Sequence, residues 1–162
     1  TVSSIIKRKY VRYFIAKLLI SWYTICMKEN LIHYRTCVCN INYHMVWSVK
    51  YRRKILNAEV ETYLQELVQE IAEDKGFTVH LFECGEGDHV HCFVSAPPKL
   101  SITAIMKYLK GISGRKLFER FPEIRNQLWK GELWNHSYYV ETVGSVSEEN
   151  IRRYIEHQSK AY

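Results

Sequence analysis

The amino-acid sequence predicts an α+β fold: an antiparallel sheet of the ferredoxin-like or RRM-like type, backed by helices. Three observations predict it. Runs of alternating, β-prone residues occur four times along the chain. Capped segments with apolar residues at three- and four-residue steps lie between them. The short link Gly85-Glu86-Gly87 joins the two middle runs as a hairpin turn would. The resulting order is β-α-β-β-α-β, followed by a C-terminal helix.

The four strands are predicted from residues with high β propensity. They cover residues 36–47, 77–84, 88–96 and 134–143. A basic cluster interleaved with Tyr51 follows the first strand, and it is either a solvated strand end or a patch that contacts phosphates. Its members are Lys50, Arg52, Arg53 and Lys54.

Three helices are predicted, each beginning at a residue whose side chain can cap the first turn. They cover residues 57–75, which Gly76 ends, residues 101–121, which Pro122 ends, and residues 147–161, which Ser147 caps. The basic residues of the second helix are spread around its axis, and exposure to solvent alone is enough to explain them. They include Lys107, Lys110 and Arg115. Residues 123–133 are predicted to be a loop.

The composition is that of one globular domain with a basic start. The chain has 162 residues, is 47% hydrophobic and carries a net charge of +6. Six basic residues precede the first acidic residue, Glu29, and the other 17 basic residues are matched by 17 acidic ones. We therefore expect residues 1–30 to be a basic, amphipathic extension and residues 31–162 to be the functional domain. Nucleic-acid affinity of that domain must come from local patches.

Neither the N-terminal run nor the cysteines indicate a membrane or an oxidising compartment. Residues 11–26 are apolar but contain Arg12 and Lys17, which makes them too short and too charged to span a bilayer. The five cysteines are an odd number without a Cys-x-x-Cys pair. We therefore expect a reducing, cytoplasmic location and no membrane partner.

The strongest chemical signal is the strand that contains His89 and His91. Side chains alternate along a strand, so both imidazoles project from one face, as a pair of metal ligands would. Two strand histidines satisfied by hydrogen bonds are the other interpretation. In the last helix Tyr154 and Gln158 are four residues apart and therefore also share a face. An aromatic residue packed on the sheet beside a solvated Gln explains that spacing equally well.

These motifs occur together in one order, and in that order the sequence resembles the HUH single-tyrosine transposases. These are small enzymes of prokaryotic insertion sequences that move as single-stranded DNA. The resemblance covers residues 43–158, with Gly85-Glu86-Gly87 in place of the Pro that usually precedes Asp88. The matching residues are Tyr43-His44-Met45-Val46-Trp47, Lys50-Tyr51-Arg52-Arg53, Asp88-His89-Val90-His91, Lys110-Gly111 with Ser113, and Tyr154-Ile155 with Gln158.

The resemblance implies a site and a reaction. His89, His91 and Gln158 would bind one divalent ion, Mg²⁺ or Mn²⁺, and Asp88 would support a ligand or the loop. Tyr154 would attack DNA, which gives a 5′-phosphotyrosine and a free 3′-OH. The enzyme would thus be a single-strand DNA endonuclease and strand transferase that recognises the hairpin ends of its insertion sequence.

The resemblance also implies an assembly and a location. We expect a homodimer with shared active sites, associated with the nucleoid when it binds DNA. The candidate DNA contacts are Lys50, Arg52, Arg53, Lys107, Lys110 and Arg115.

Two alternative functions remain open. The first is a domesticated or catalytically silent module of the same fold that binds single-stranded nucleic acid by stacking on aromatic residues. The second is a related HUH enzyme, such as a relaxase, a replication initiator or a domesticated transposase acting on dispersed palindromes. Relaxases usually have three clustered histidines and a longer chain.

Overall fold

The computed structural model describes residues 31–144 and 148–158. The chain divides into two units, residues 1–40 and 41–162. In the first unit, strands β1 (Ile32–His33) and β2 (Val38–Cys39) pair antiparallel. The extension predicted over residues 1–30 and the cap predicted at Ser147 lie outside the described residues. Within the described ranges, no helix combines the length and apolar character needed to cross a membrane.

The second unit is built around a four-stranded antiparallel sheet. Its strands are β3 (Asn42–Ser48), β4 (Thr78–Gly85), β5 (His89–Ser95) and β6 (Tyr139–Val143), in the spatial order β4-β5-β3-β6. Its helices are α1 (Ala58–Lys75), α2 (Ile102–Arg120), α3 (Pro122–Asn126) and α4 (Glu148–Gln158). The predicted α+β, ferredoxin-like fold is confirmed.

Local signals in the sequence place the helix starts and the hairpin. Asn57 Oδ1 accepts a hydrogen bond from the Val60 amide at 3.1 Å, and Ser101 Oγ accepts one from the Ala104 amide at 3.2 Å. Both caps satisfy amides that have no partner within the helix. The turn between β4 and β5 has positive φ at Glu86 (50°) and Gly87 (73°). Positive φ at both central residues is what a type I′ hairpin turn requires.

The prediction of one strand over residues 36–47 is wrong. Val38 and Cys39 pair with β1, whereas the strand of the four-stranded sheet begins at Asn42. Asn40 and Ile41 separate the two strands, and Asn is disfavoured within strands. The alternation of β-prone residues continues across this break, which is why the pattern did not reveal it.

The region between α2 and β6 also differs from the prediction. Residues 123–133 are not a plain loop, because Pro122 both ends α2 and occupies the first turn of α3, where its fixed φ suits a helix. A 3₁₀ turn (Trp129–Gly131) follows. The last strand starts at Tyr139 instead of Trp134, which forms only an isolated bridge with Val49.

The two faces of the sheet bury different partners. The face with Met45 and Trp47 forms the main core with α1 and α2. The opposite face carries a small cluster of Phe93, Val143 and Ile155, through which α4 packs on the sheet. Burying one residue such as Ile155 contributes about 1.5–3 kcal/mol. Because only this small apolar cluster is buried on the second face, the rest of that face can carry polar side chains.

The Lys110-Gly111 motif with Ser113 anchors the segment that precedes β6. Lys110 Nζ donates to the carbonyl oxygens of Asn135 at 2.5 Å and His136 at 2.9 Å, so these groups are not available to a strand ladder. Buried Ser113 accepts a hydrogen bond from Trp134 Nε1 at 2.9 Å and donates to the Leu109 carbonyl.

Replacing Ser113 with Ala should destabilise the fold, because Trp134 Nε1 loses its acceptor in a buried position. We expect the free energy of unfolding in urea to fall by about 1–3 kcal/mol. The matched control is Ser137→Ala at an exposed position of the same segment, which should change it by less than about 0.5 kcal/mol. Equal stability of the two variants would contradict the anchoring role.

Candidate active site

Three histidines lie on one face of the sheet, which we call the imidazole face: His44 on β3, and His89 and His91 on β5. In the sheet register His91 is opposite Val46, so His44 reaches it diagonally along the same face. The His89 and His91 ring centroids are 5.1 Å apart with the rings nearly perpendicular. The structure therefore brings together the two histidines that the sequence singled out.

Asp88 holds the His89 ring in place. Its Oδ1 lies 2.6 Å from His89 Nδ1, and its Oδ2 accepts a hydrogen bond from Arg52 Nε at 2.9 Å. Asp88 is buried, and Arg52 reaches it from a left-handed backbone conformation with φ of 54°. A carboxylate can only accept hydrogen bonds, so Asp88 places a proton on His89 Nδ1, and the neutral form of His89 has its lone pair on Nε2.

His91 is buried and neutral. Burial, followed by the neighbouring His89 and His44 rings, lowers the pKa of His91 to about 4. Its Nδ1 lies 3.1 Å from Nε2 of His44, whose own Nδ1 lies 3.1 Å from Glu141 Oε1. The sequence analysis assigns no role to His44 or Glu141. Only the pairing of β3 with β5 and β6 brings them to His91, so no pattern within one segment could have revealed the contact.

Tyr154 lies over the same face and remains accessible. Its ring centroid is 5.6 Å from that of His91 and 6.1 Å from that of His44, both approached edge-on. The side chain is 49% exposed, whereas the adjacent Ile155 is fully buried against the sheet. The packing of Ile155 thus holds Tyr154 beside the histidines with its ring open to solvent. Helix α4 ends at Gln158.

The two imidazoles fit a divalent ion. Two imidazoles that bind one octahedral ion at right angles have ring centroids roughly 4.6 Å apart, close to the 5.1 Å observed. In the described ranges, no three His, Cys, Asp or Glu side chains are grouped to hold a metal ion. A ligand of another kind, such as the amide predicted at Gln158, would have to join the histidines.

The candidate DNA contacts divide into two groups. Three have partners within the protein: Lys50 Nζ lies 2.6 Å from Glu132 Oε2, the exposed Arg52 contacts Asp88, and Lys110 binds the carbonyl groups before β6. The other three, Arg53, Lys107 and Arg115, are exposed. Arg115 and Lys110 also line an open groove of about 380 Å³ beside Trp134 and His136.

Comparison with known proteins identifies the family. A profile of the family described as transposase IS200-like matches residues 37–158. The chain belongs to the IS200-like transposase family. The prediction that it is an insertion-sequence transposase is thereby confirmed.

Relatives of this IS200-like transposase support the assignment over most of its length. The ISDra2 transposase TnpA of Deinococcus radiodurans is 40% identical over 124 residues, which are 76% of this chain and 88% of that protein. The transposase for insertion sequence element IS200 of Salmonella typhimurium is 34% identical over 131 residues, 81% of this chain and 83% of that one.

Solved structures support the fold. A crystal structure assigned to a transposase of Deinococcus radiodurans R1 matches with a TM-score of 0.65 at 36% identity, covering 78% of this chain and 97% of that one. A REP-associated tyrosine transposase bound to a REP hairpin matches with a TM-score of 0.53 at 12% identity, covering 78% of this chain and 69% of that one. At that identity the second match indicates the fold alone.

Gly85 is a further residue that the motifs did not indicate. It is opposite His89 in the sheet, and a Cβ at this position would lie 2.3 Å from His89 Nε2. The imidazole therefore occupies the space that any other side chain would fill. Because the ring can rotate away, the fold would tolerate a side chain here more easily than the site would.

Replacing Gly85 with Ala should displace His89 with little loss of stability. We expect the crystal structure of the variant to show His89 rotated away and its hydrogen bond to Asp88 broken. The control is Gly111→Ala, where an added Cβ meets nothing within 4 Å. An unmoved His89 ring in the Gly85 variant would show that this glycine does not determine its position.

Proposed function

We propose that this IS200-like transposase cleaves and rejoins single-stranded DNA by means of Tyr154. The position of Tyr154, half exposed above the imidazole face, carries this proposal. Its phenol oxygen forms a bond to the scissile phosphorus while the bond from phosphorus to the 3′ oxygen breaks. The products are a 5′-phosphotyrosine and a 3′-OH, which takes the proton. Because the ester keeps the bond energy, another 3′-OH can reverse the step and join strands without ATP.

The proposed site includes one Mg²⁺ or Mn²⁺ ion bound by His89, His91 and Gln158. Such an ion, when bound, polarises the non-bridging oxygens of the scissile phosphate. The two imidazoles are suited to this role because their Nδ1 atoms face Asp88 and His44. Neutral His and amide ligands leave the charge of the ion undiminished. Asp88 would keep His89 oriented, and it ties that ring to the basic segment through Arg52.

The proposed substrate is single-stranded DNA with hairpin ends. Arg53, Lys107 and Arg115 are exposed and can contact phosphates directly. Lys50, Arg52 and Lys110 would contribute positive potential from positions fixed by their partners in the protein. The REP hairpin bound by a transposase of the same fold is consistent with a structured DNA end.

The proposed assembly is a homodimer with shared active sites. In the structure α4 packs on its own chain's sheet. Its apolar contact centres on Phe93, Val143 and Ile155, with Leu81 and Ile151 at the edge. Opening this contact costs on the order of 5–10 kcal/mol, but the same contact would form again on the other subunit's sheet, so α4 can exchange between subunits, with Gly144 as the proposed hinge.

Replacing Tyr154 with Phe should abolish the covalent adduct but leave hairpin binding within about twofold, because only the phenol oxygen is lost. Radiolabelled single-stranded hairpin DNA and denaturing gels measure the adduct. The matched control is Tyr139→Phe: that ring also contacts His44, but its hydroxyl donates to Glu141 at 3.0 Å. Persistent adduct in the Tyr154 variant would assign the nucleophile elsewhere, with Tyr138 and Tyr139 next to test.

Mixing two inactive proteins tests the shared site. One carries His89→Ala and His91→Ala, and the other carries Tyr154→Phe. If α4 is exchanged, a heterodimer contains one complete site, and the adduct forms on the histidine variant. Chains of different size identify the labelled subunit. No adduct after verified subunit exchange would contradict the shared site, because a site built within one chain is broken in both subunits.

A further inference from the structure

We infer that His44 is a positioning residue for the ion site: held by Glu141, it fixes the orientation and tautomer of His91, so that His91 Nε2 is free to bind the ion. The inference rests on the proposed function, because it assigns a role toward the proposed ion. It concerns this chain's own hydrogen bonds, which can be measured without any ion present.

The geometry is that of a relay across three strands. His44 is 3% exposed, and its ring is nearly parallel to that of His91, with planes 13° apart and centroids 5.4 Å apart, as in-plane N–H···N bonding requires. Its Nδ1 lies 3.1 Å from Glu141 Oε1, and its Nε2 lies 3.1 Å from His91 Nδ1. Glu141 is directly opposite His44 in the pairing of β3 with β6. Strands β6, β3 and β5 thus contribute one member each.

The order of donors and acceptors follows from Glu141. An ionised carboxylate only accepts, so the proton between Glu141 and His44 belongs to His44 Nδ1. The Nε2 atom of a neutral His44 then carries a lone pair and accepts the proton of His91 Nδ1. His91 is left with its lone pair on Nε2, the atom that remains for an ion. Asp88 imposes the same tautomer on His89.

A second contact keeps Glu141 in place. Its other oxygen, Oε2, accepts the Tyr139 hydroxyl at 3.0 Å, so both oxygens are engaged. The Glu141 side chain is 41% exposed, and changing it leaves the apolar core intact. This makes Glu141 the position at which the relay can be opened with the least risk to folding.

Metal affinity is the first test, with Mn²⁺ as the probe and electron paramagnetic resonance as the measurement. His44→Phe keeps a ring but removes the acceptor, and we expect it to weaken Mn²⁺ binding about 10- to 100-fold, as loss of such supporting partners does. In His44→Gln, the amide oxygen can take the position of Nε2 and should recover most of the affinity. A folded His44→Phe protein that binds Mn²⁺ within about twofold of the wild type would overturn the inference.

The tautomer of His91 is the second test, read from long-range ¹H–¹⁵N correlations of the histidine rings in metal-free protein. The wild type should carry the His91 proton on Nδ1. Glu141→Ala should turn this into a mixture of both tautomers, whereas Glu119→Ala, which removes an exposed carboxylate of α2, should not. A wild-type His91 protonated on Nε2, or a Glu141→Ala spectrum identical to the wild type, would overturn the relay even if every His44 variant failed to fold.

The two tests separate this inference from the proposed ion site. If the wild type binds no Mn²⁺, or binds it as well as His89→Ala does, the ion site is wrong and the role of His44 falls with it. If the wild type binds Mn²⁺ and His89→Ala does not, the ion site stands. The comparison of His44→Phe with His44→Gln then decides the inference alone.

Discussion

The antiparallel register between β3 and β5 determines where each polar side chain of the site lies. In this register His91 is opposite Val46 and His89 is opposite Ser48, so His44 is brought beside His91 on one face. Met45 and Trp47 alternate with these positions and point into the main core. A slip of one residue would turn the histidines into that core. The apolar packing against α1 and α2 therefore also fixes the position of the histidines.

The histidines of the imidazole face have hydrogen-bond partners within the protein. Buried polar groups are costly unless they are hydrogen-bonded, and here the Nδ1 atoms of both candidate ligands have partners in Asp88 and His44. Burial keeps His91 neutral at pH 7, since its pKa is about 4. The fold thus holds both imidazoles in place, with no need for an ion to order them. Ile155 packs on the sheet and thereby holds α4, and with it Tyr154, against the same face.

Local signals made much of the fold predictable. Helix caps, hydrophobic periodicity and the hairpin glycines each depend on residues that are close in the sequence. The sequence therefore predicts α1, α2 and the turn at Glu86–Gly87. It does not predict features that depend on distant partners. The start of β6 is set by Lys110, which binds carbonyl groups that a strand would otherwise use. For the site, the shared face of His89 and His91 followed from alternation, but the roles of His44 and Gly85 depend on register with other strands.

The central claim is that Tyr154 is the residue that joins DNA, and the most direct measurement is the mass of the modified peptide. The IS200-like transposase is incubated with single-stranded DNA that flanks its own element, with Mg²⁺, and then digested with nuclease and trypsin. Cleavage after Arg153 releases residues 154–160, whereas Tyr138 and Tyr139 fall in residues 131–152. We predict a nucleotide attached to the 154–160 peptide. Attachment to the 131–152 peptide, or DNA cleavage without any modified peptide, would contradict the account.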